Sequence, residues 1–164
     1  MSKAFDPYSK NYNNHVNDVL RITGYDANTL IKAKLLKLQE LFPGLVQRHF
    51  NLLDFGCGIG NLYESVKQFF PHVSYTGVDK SEESINQARS HFSESSIFHN
   101  LHSENWKLAQ YDLIFSAGVF HHIPHDEHKN ILKDLSALLK PMGKIAIWEH
   151  NPINPFTKKI VNDC

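Results

Sequence analysis

The chain has 164 residues, enough for one domain with a buried core. Lys plus Arg and Asp plus Glu each number 17, for a formal net charge of zero, so no basic excess points to a nucleic-acid partner. No apolar run approaches the roughly 20 residues of a membrane span, and the Met1 to Pro7 stretch lacks the apolar core of a signal peptide. The two cysteines, Cys57 and Cys164, do not read as halves of a structural disulfide, which makes a reducing cytoplasm the expected location.

Residues 1–45 read as a helical segment that packs on, and caps, whatever follows. Val16, Leu20, Leu30, Ile31, Leu35, Leu38 and Phe42 recur at helical spacing, Asp26 is a candidate N-cap, and Pro43-Gly44 stops the second helix. Residues 46–164 form the rest of a single domain. Its first strand, residues 49–54, ends in Asp54, and glycines follow at 56, 58 and 60 before a helical stripe of Leu62, Val66, Phe69 and Phe70, which Pro71 ends.

A strand, a glycine-rich turn and a helix N-terminus together form a cradle in which a ligand can lie against the backbone. The dinucleotide fingerprint is G-x-G-x-x-G. Here the spacing is G-x-G-x-G, with Asn61 where the third glycine of that fingerprint would stand. Asp54 would repel a pyrophosphate and attract an ammonium group. The second strand, residues 73–79, ends in Asp79, 25 residues after Asp54, where an acid can take both hydroxyls of a ribose. An amine at one end and a ribose at the other describe S-adenosylmethionine.

Beyond Asp79, Ser81 is the expected N-cap of a helix with Glu82 and Glu83 in its first turn and Ile85, Ala88 and Phe92 on its buried face. Residues 96–100 make a short third strand and 112–116 a fourth, apolar on both faces. Asp126 is placed to cap a helix with the stripe Ile131, Leu132, Leu135, Leu138 and Leu139, closed by Pro141. Gly143 then admits a fifth strand over 144–148. Strands alternating with helices predict an α/β domain with a doubly wound, mostly parallel sheet and ligands over the carboxyl ends of its strands.

Four segments resemble the class I S-adenosylmethionine-dependent methyltransferases: the glycine turn, the strand ending in Asp79, Tyr111 to Pro124, and Leu139 to His150. The resemblance implies a Rossmann-like methyltransferase fold, here without the last two strands. It also implies a cofactor site drawn from Tyr12, Asp54, Gly56, Cys57, Gly58, Asn61, Asp79, Lys80, Asn100, Leu101, Ser116 and Ala117. Tyr12 belongs to an N-terminal segment similar to one that folds over the cofactor. Where the family commonly has an Asp for the adenine amine, this chain has Asn100, whose amide oxygen can accept the same hydrogen bond.

The implied reaction is direct displacement of the methyl group by a small-molecule or lipid-linked acceptor, leaving S-adenosylhomocysteine. His121 and His150 are the candidate catalytic bases, with His122 expected to pack beneath the sheet. Glu149 is read either as partner to His150 or as a loop anchor bonded to the Asn151-Pro152 turn. Cys57 is expected to pack against the turn. No His or Cys stands at metal-ligand spacing, so no metal is expected. The end of the chain at Cys164 suggests a fragment or short form whose fifth strand is uncovered on its outer edge, and so prone to pair with another copy. Two other readings are a cofactor-binding module without turnover and a nicotinamide oxidoreductase, the latter disfavoured by Asn61 and Asp54.

Overall fold

A computed structural model describes residues 27–149, so the expectations for Asp26, Tyr12 and His150 fall outside the described residues. The first described element is α1 (Ala27–Leu41), whose Leu35 and Leu38 are buried. A 3-10 turn over Pro43–Leu45 then leads into β1 (Phe50–Phe55). The chain continues through α2 (Tyr63–Phe69), β2 (Val73–Asp79), α3 (Glu82–His91), β3 (Phe98–Asn100), β4 (Tyr111–Ala117), α4 (His125–Ala137) and β5 (Leu139–Trp148).

The five strands are parallel, in the order β3-β2-β1-β4-β5. The order reverses between β1 and β4, and such a switch point opens a crevice at the carboxyl ends of the strands. Both faces are covered, which is why β1 and β4 are almost continuously apolar. Phe50, Leu52, Tyr75, Leu113 and Phe115 pack with Leu35, Leu38, Val66, Ile85 and Ala88 of α1, α2 and α3. Leu53, Val78 and Ile114 face the other way, against Leu135 of α4 and against Trp106 and Phe120 of two 3-10 turns. Asp54 follows Leu52 at a period of two, so its carboxyl lies on the α1 face.

At the opposite end of the sheet Asp112 holds three strands together. It accepts from Arg48 Nη2 (2.9 Å), Lys140 Nζ (2.7 Å) and the Asn51 backbone N–H (2.9 Å). Burial would raise its carboxyl, but these donors outweigh that and leave it below the usual aspartate range.

Several boundaries differ from the sequence expectation. The last helix begins at His125 after Pro124, with Asp126 and Glu127 in its first turn and no side-chain cap, so Asp126 acts on the helix dipole and not as the cap. The helix ends at Ala137, before Pro141. Leu139 already pairs with Tyr111, and β5 bulges through Pro141-Met142-Gly143 before Lys144 pairs with Leu113. Met142 takes the bulge with φ 68°, and an added Cβ on Gly143 would meet two carbonyl oxygens at 2.9 Å. Ser81 caps α3 as expected, accepting from the Ser84 N–H.

Candidate cofactor site

The glycine turn is fastened to β2 before any ligand is considered. Gly56 and Cys57 both donate their N–H to the Val78 carbonyl, at 2.8 and 3.0 Å. Gly58 N–H donates to Asp79 Oδ2 at 2.9 Å, while Asp79 Oδ1 accepts from the Ser81 N–H at 2.9 Å. Each oxygen keeps a second acceptor position, so the carboxylate that braces the turn can still take two hydroxyl groups.

Gly56 and Gly58 have φ of 81° and 56°, in the left-handed region. Their surroundings are opposite. A Cβ on Gly56 would strike the Val119 side chain at 2.2 Å, whereas one on Gly58 would meet nothing within 4 Å. The open side of Gly58 is thus a cradle beside the Asp79 carboxylate. Beneath the turn, Tyr63, Tyr75, Phe92 and Phe98 form an aromatic cluster with ring centroids 5.1 to 6.0 Å apart. Cys57 is buried, its thiol packed toward Gly77, and burial pushes its pKa well up, away from nucleophilic character.

Asp54 is 4 % exposed and accepts a 2.6 Å hydrogen bond from the Tyr75 hydroxyl. Burial pushes its carboxyl up to about 7. The Tyr75 bond opposes that, Asp79 adds to it, and Lys34 opposes it. A carboxylate so placed gains from any cation brought beside it.

Lys34, on α1, is the residue that sequence reasoning missed. Burial holds its ammonium below the usual lysine range, while Asp54 and Glu149 both pull the other way. Its signal was present: Lys34 stands three residues after Ile31 and four before Leu38, a cation on an otherwise apolar stripe.

The other expected contacts divide. The Leu101 N–H donates to the Asp79 carbonyl at 2.8 Å, which fixes the end of β3 beside β2. The Asn100 amide is engaged locally: its oxygen accepts from the His102 N–H at 2.9 Å and its nitrogen donates to the Lys80 carbonyl at 3.4 Å. An adenine amine would have to share that oxygen. Ser116 is wholly buried, its hydroxyl without a hydrogen-bond partner among the described residues, and Ala117 packs on the α1 face. Lys80 is exposed and Asn61 half-buried at the rim of the turn.

After β4, a 3-10 turn over Phe120–His122 carries the histidine pair. His122 does not pack beneath the sheet. Its ring lies 3.9 Å from that of His121 at the surface, because Phe120 takes the buried position. His128 instead reaches inward and donates from Nε2 to the Phe120 and Ile123 carbonyls, each at 2.9 Å. Glu149 anchors the loop over 119–121, and the Asn151-Pro152 turn to which it was expected to bond lies outside the described residues. Among the described residues no three His, Cys, Asp or Glu gather to hold a metal ion. No helix among them is long and apolar enough to cross a membrane.

A sequence profile described as "Methyltransferase domain" matches residues 53–145, more than half of the chain. Trans-aconitate 2-methyltransferase of Escherichia coli O1:K1 is 34 % identical over 97 residues, covering 58 % of this chain and 37 % of that protein. The chain therefore spans well under half the length of the curated relative it matches. Among solved structures, PKMT2 from Rickettsia typhi in complex with AdoHcy superposes with a TM-score of 0.50 at 26 % identity, over 60 % of this chain and 20 % of that one. The plantazolicin methyltransferase BpumL, in complex with a pentazolic desmethylPZN analog and SAH, superposes with a TM-score of 0.65 at 22 % identity, over 96 % of this chain and 62 % of that one. The last comparison establishes a shared Rossmann-like methyltransferase fold.

Proposed function

Because this chain belongs to the methyltransferase domain family, we propose that it binds S-adenosylmethionine across the ends of β1 and β2 and transfers its methyl group to a small-molecule or lipid-linked acceptor. One observation carries the reading: an open, left-handed Gly58 stands in the turn between a buried acid, Asp54, and a second acid, Asp79, that already braces the turn. Asp54 would take the cationic amine, Asp79 the ribose hydroxyls, and Lys34 the carboxylate of the methionine moiety. Gly56, Cys57 and Asn61 shape the turn. Lys80, Asn100 and Leu101 flank the adenine end, and Ser116 and Ala117 the methionine end. Tyr12 would cover the ligand from the N-terminal segment.

When bound, the sulfonium supplies an activated methyl group. The work left to the protein is to hold donor and acceptor in line and to exclude water. His121 is the candidate base; His150 is a second one beyond the described residues. A buried, unpaired Cys57 thiol suits a reducing cytoplasm.

Calorimetric titration with S-adenosylhomocysteine and, separately, with NAD tests the reading. Binding of S-adenosylhomocysteine is the expected result, and binding of NAD alone would overturn it. Asp79→Ala should weaken S-adenosylhomocysteine by about 1.5–3 kcal/mol through loss of charge-assisted hydrogen bonds. Unchanged affinity would remove Asp79 from the site. Methyl transfer assayed beside affinity separates an enzyme from a cofactor-binding module.

Among the described residues β5 pairs only with β4, and its Ile147 and Trp148 are 42 % and 41 % exposed. Edge strands with apolar side chains recruit further strands, so self-association is expected. Light scattering at high protein concentration should show a dimer, and a monomer there would count against it.

A further inference from the structure

In the parallel register of β1 and β2, Tyr75 stands opposite Leu52 and Gly77 opposite Asp54. All four positions share the α1 face, because side chains alternate along a strand. The Tyr75 hydroxyl therefore has to travel two residues along the sheet, about 6.6 Å, to meet the Asp54 carboxylate. It does so by leaning over Gly77, and it donates to Asp54 Oδ2 at 2.6 Å. A Cβ on Gly77 would lie 3.1 Å from Tyr75 Cε1, 3.0 Å from Cys57 Sγ and 2.9 Å from Phe98 Cδ1. Gly77 lies outside the left-handed region, so the glycine is needed there for space.

The ring is held by its neighbours as well. Its centroid is 5.1 Å from that of Tyr63 and 6.0 Å from that of Phe98, and the whole side chain is buried. Burial holds the Tyr75 hydroxyl well above the ordinary tyrosine value, and the adjacent Asp54 adds to this, so the hydroxyl keeps its hydrogen and donates. Each carboxylate oxygen has two acceptor positions, which leaves Asp54 able to accept from an ammonium group while the bond to Tyr75 persists. Lys34 of α1 and Asp79 at the end of β2 also act on Asp54, with opposite signs. The Cys57 thiol of the turn stays protonated, and Phe115, opposite Asp54 on β4, is apolar. Tyr75 brings no charge to the site and still favours the ionised carboxyl, which a phenylalanine in its place would not.

Resting on the methyltransferase reading, we propose that Tyr75 is a positioning residue for the cofactor amine: its hydroxyl, let through by Gly77, fixes the Asp54 carboxylate at the end of β1 and keeps it in the charged form that an ammonium group needs. A carboxylate already held in one orientation loses less freedom when the ligand arrives. The second strand thus grips the ligand twice, at the ribose through Asp79 and at the amine through Tyr75 acting on Asp54.

Carboxyl-carbon NMR on the full chain labelled in aspartate, without ligand, tests the device. The wild-type Asp54 signal should titrate near pH 7, and the Tyr75 Cζ signal, in a tyrosine-labelled sample, should move with the same midpoint. In Tyr75→Phe, which keeps the ring in the aromatic cluster, the Asp54 midpoint should rise by about one pH unit or more. Gly77→Ala, whose Cβ presses on the same ring, should raise it as well. An unchanged Asp54 midpoint in folded Tyr75→Phe, or a wild-type Tyr75 signal blind to the Asp54 titration, would overturn the proposal. Binding of S-adenosylhomocysteine by Tyr75→Phe should be weaker by about fivefold at pH 7 and come within about twofold of the wild type at pH 8.5. An equal loss at both pH values would make Tyr75 a packing residue and overturn the proposal too. Absence of binding by the wild type would instead sink the methyltransferase reading, while the ligand-free titrations stand.

Discussion

Replacing Asp54 with Asn is expected to weaken S-adenosylhomocysteine binding by about 3 kcal/mol, roughly a hundredfold, while making the ligand-free protein more stable at pH 8. The loss comes from removing the formal charge that Asp54 would offer to the ligand amine at the end of β1; a charged hydrogen bond of this kind contributes roughly 1.5–3 kcal/mol. The gain in stability has the opposite origin. The Asp54 carboxyl is buried and pushed up to about 7 from an ordinary value of 3.8. The folded state therefore keeps a proton that the unfolded chain gives up.

The stability associated with this proton is fully present below about pH 4 and is lost as pH rises through about 7. At pH 8 the ionised carboxylate opposes folding by up to about 4 kcal/mol, each tenfold change in proton affinity being about 1.4 kcal/mol. Asparagine carries no charge, and its carbonyl can still accept from the Tyr75 hydroxyl. Thermal denaturation at pH 8 should show a melting temperature several degrees higher for the variant, at about 2–4 °C per kcal/mol for a chain of this size. A variant that melts lower, or that binds as tightly as the wild type, would make Asp54 a structural acid. In the wild type, affinity for S-adenosylhomocysteine should rise from pH 6 to pH 8 and then level off, because the amine requires the ionised form. The same titrations in Asp54→Asn should lose that rise.

The second large effect separates two glycines that look alike in sequence. Gly56→Ala places a Cβ 2.2 Å from the Val119 Cγ2 atom at a φ of 81°, so the variant meets both backbone strain and overpacking. Together these amount to roughly 2–5 kcal/mol. Val119 also donates its N–H to Glu149, so its displacement would carry the His121 loop with it. A drop in melting temperature of about 5–15 °C is expected.

Gly58→Ala has a φ of 56° and no neighbour within 4 Å. It should lose only about 1 kcal/mol of stability, from the left-handed backbone, yet lose most of its affinity for S-adenosylhomocysteine, because the new methyl group fills the cradle. Differential scanning calorimetry beside a binding titration reads both variants. Equal melting temperatures for the two would show that the turn relaxes freely. Undiminished binding by Gly58→Ala would place the ligand elsewhere.

Much of this fold was legible in the chain because its signals are local. Apolar runs ending in Asp54 and Asp79, the triple glycine between them, the cap at Ser81 and the stop at Pro43-Gly44 each act over a few residues, and the observed β2 and the Ser81 cap agree with the reading. The irregular path of β5 was not legible. The bulge at Pro141-Met142-Gly143 exists because β5 must regain register with β4 after Tyr111 pairs with Leu139, a demand set by the neighbouring strand. Asp126 failed as a cap for a similar reason, since Pro124 already turns the chain into α4 two residues earlier.

What the sequence by itself determined is the cradle: a backbone that only glycine can follow, flanked by two acids at strand ends, which follows from steric and charge rules acting between near neighbours. Tertiary structure alone decided how those acids behave. Packing buries Asp54 against Tyr75, brings Lys34 across from α1 and sets Glu149 against His121 from 28 residues away. Burial and long-range pairing set a side chain's charge and tautomer, and neither is written in the order of residues along one strand.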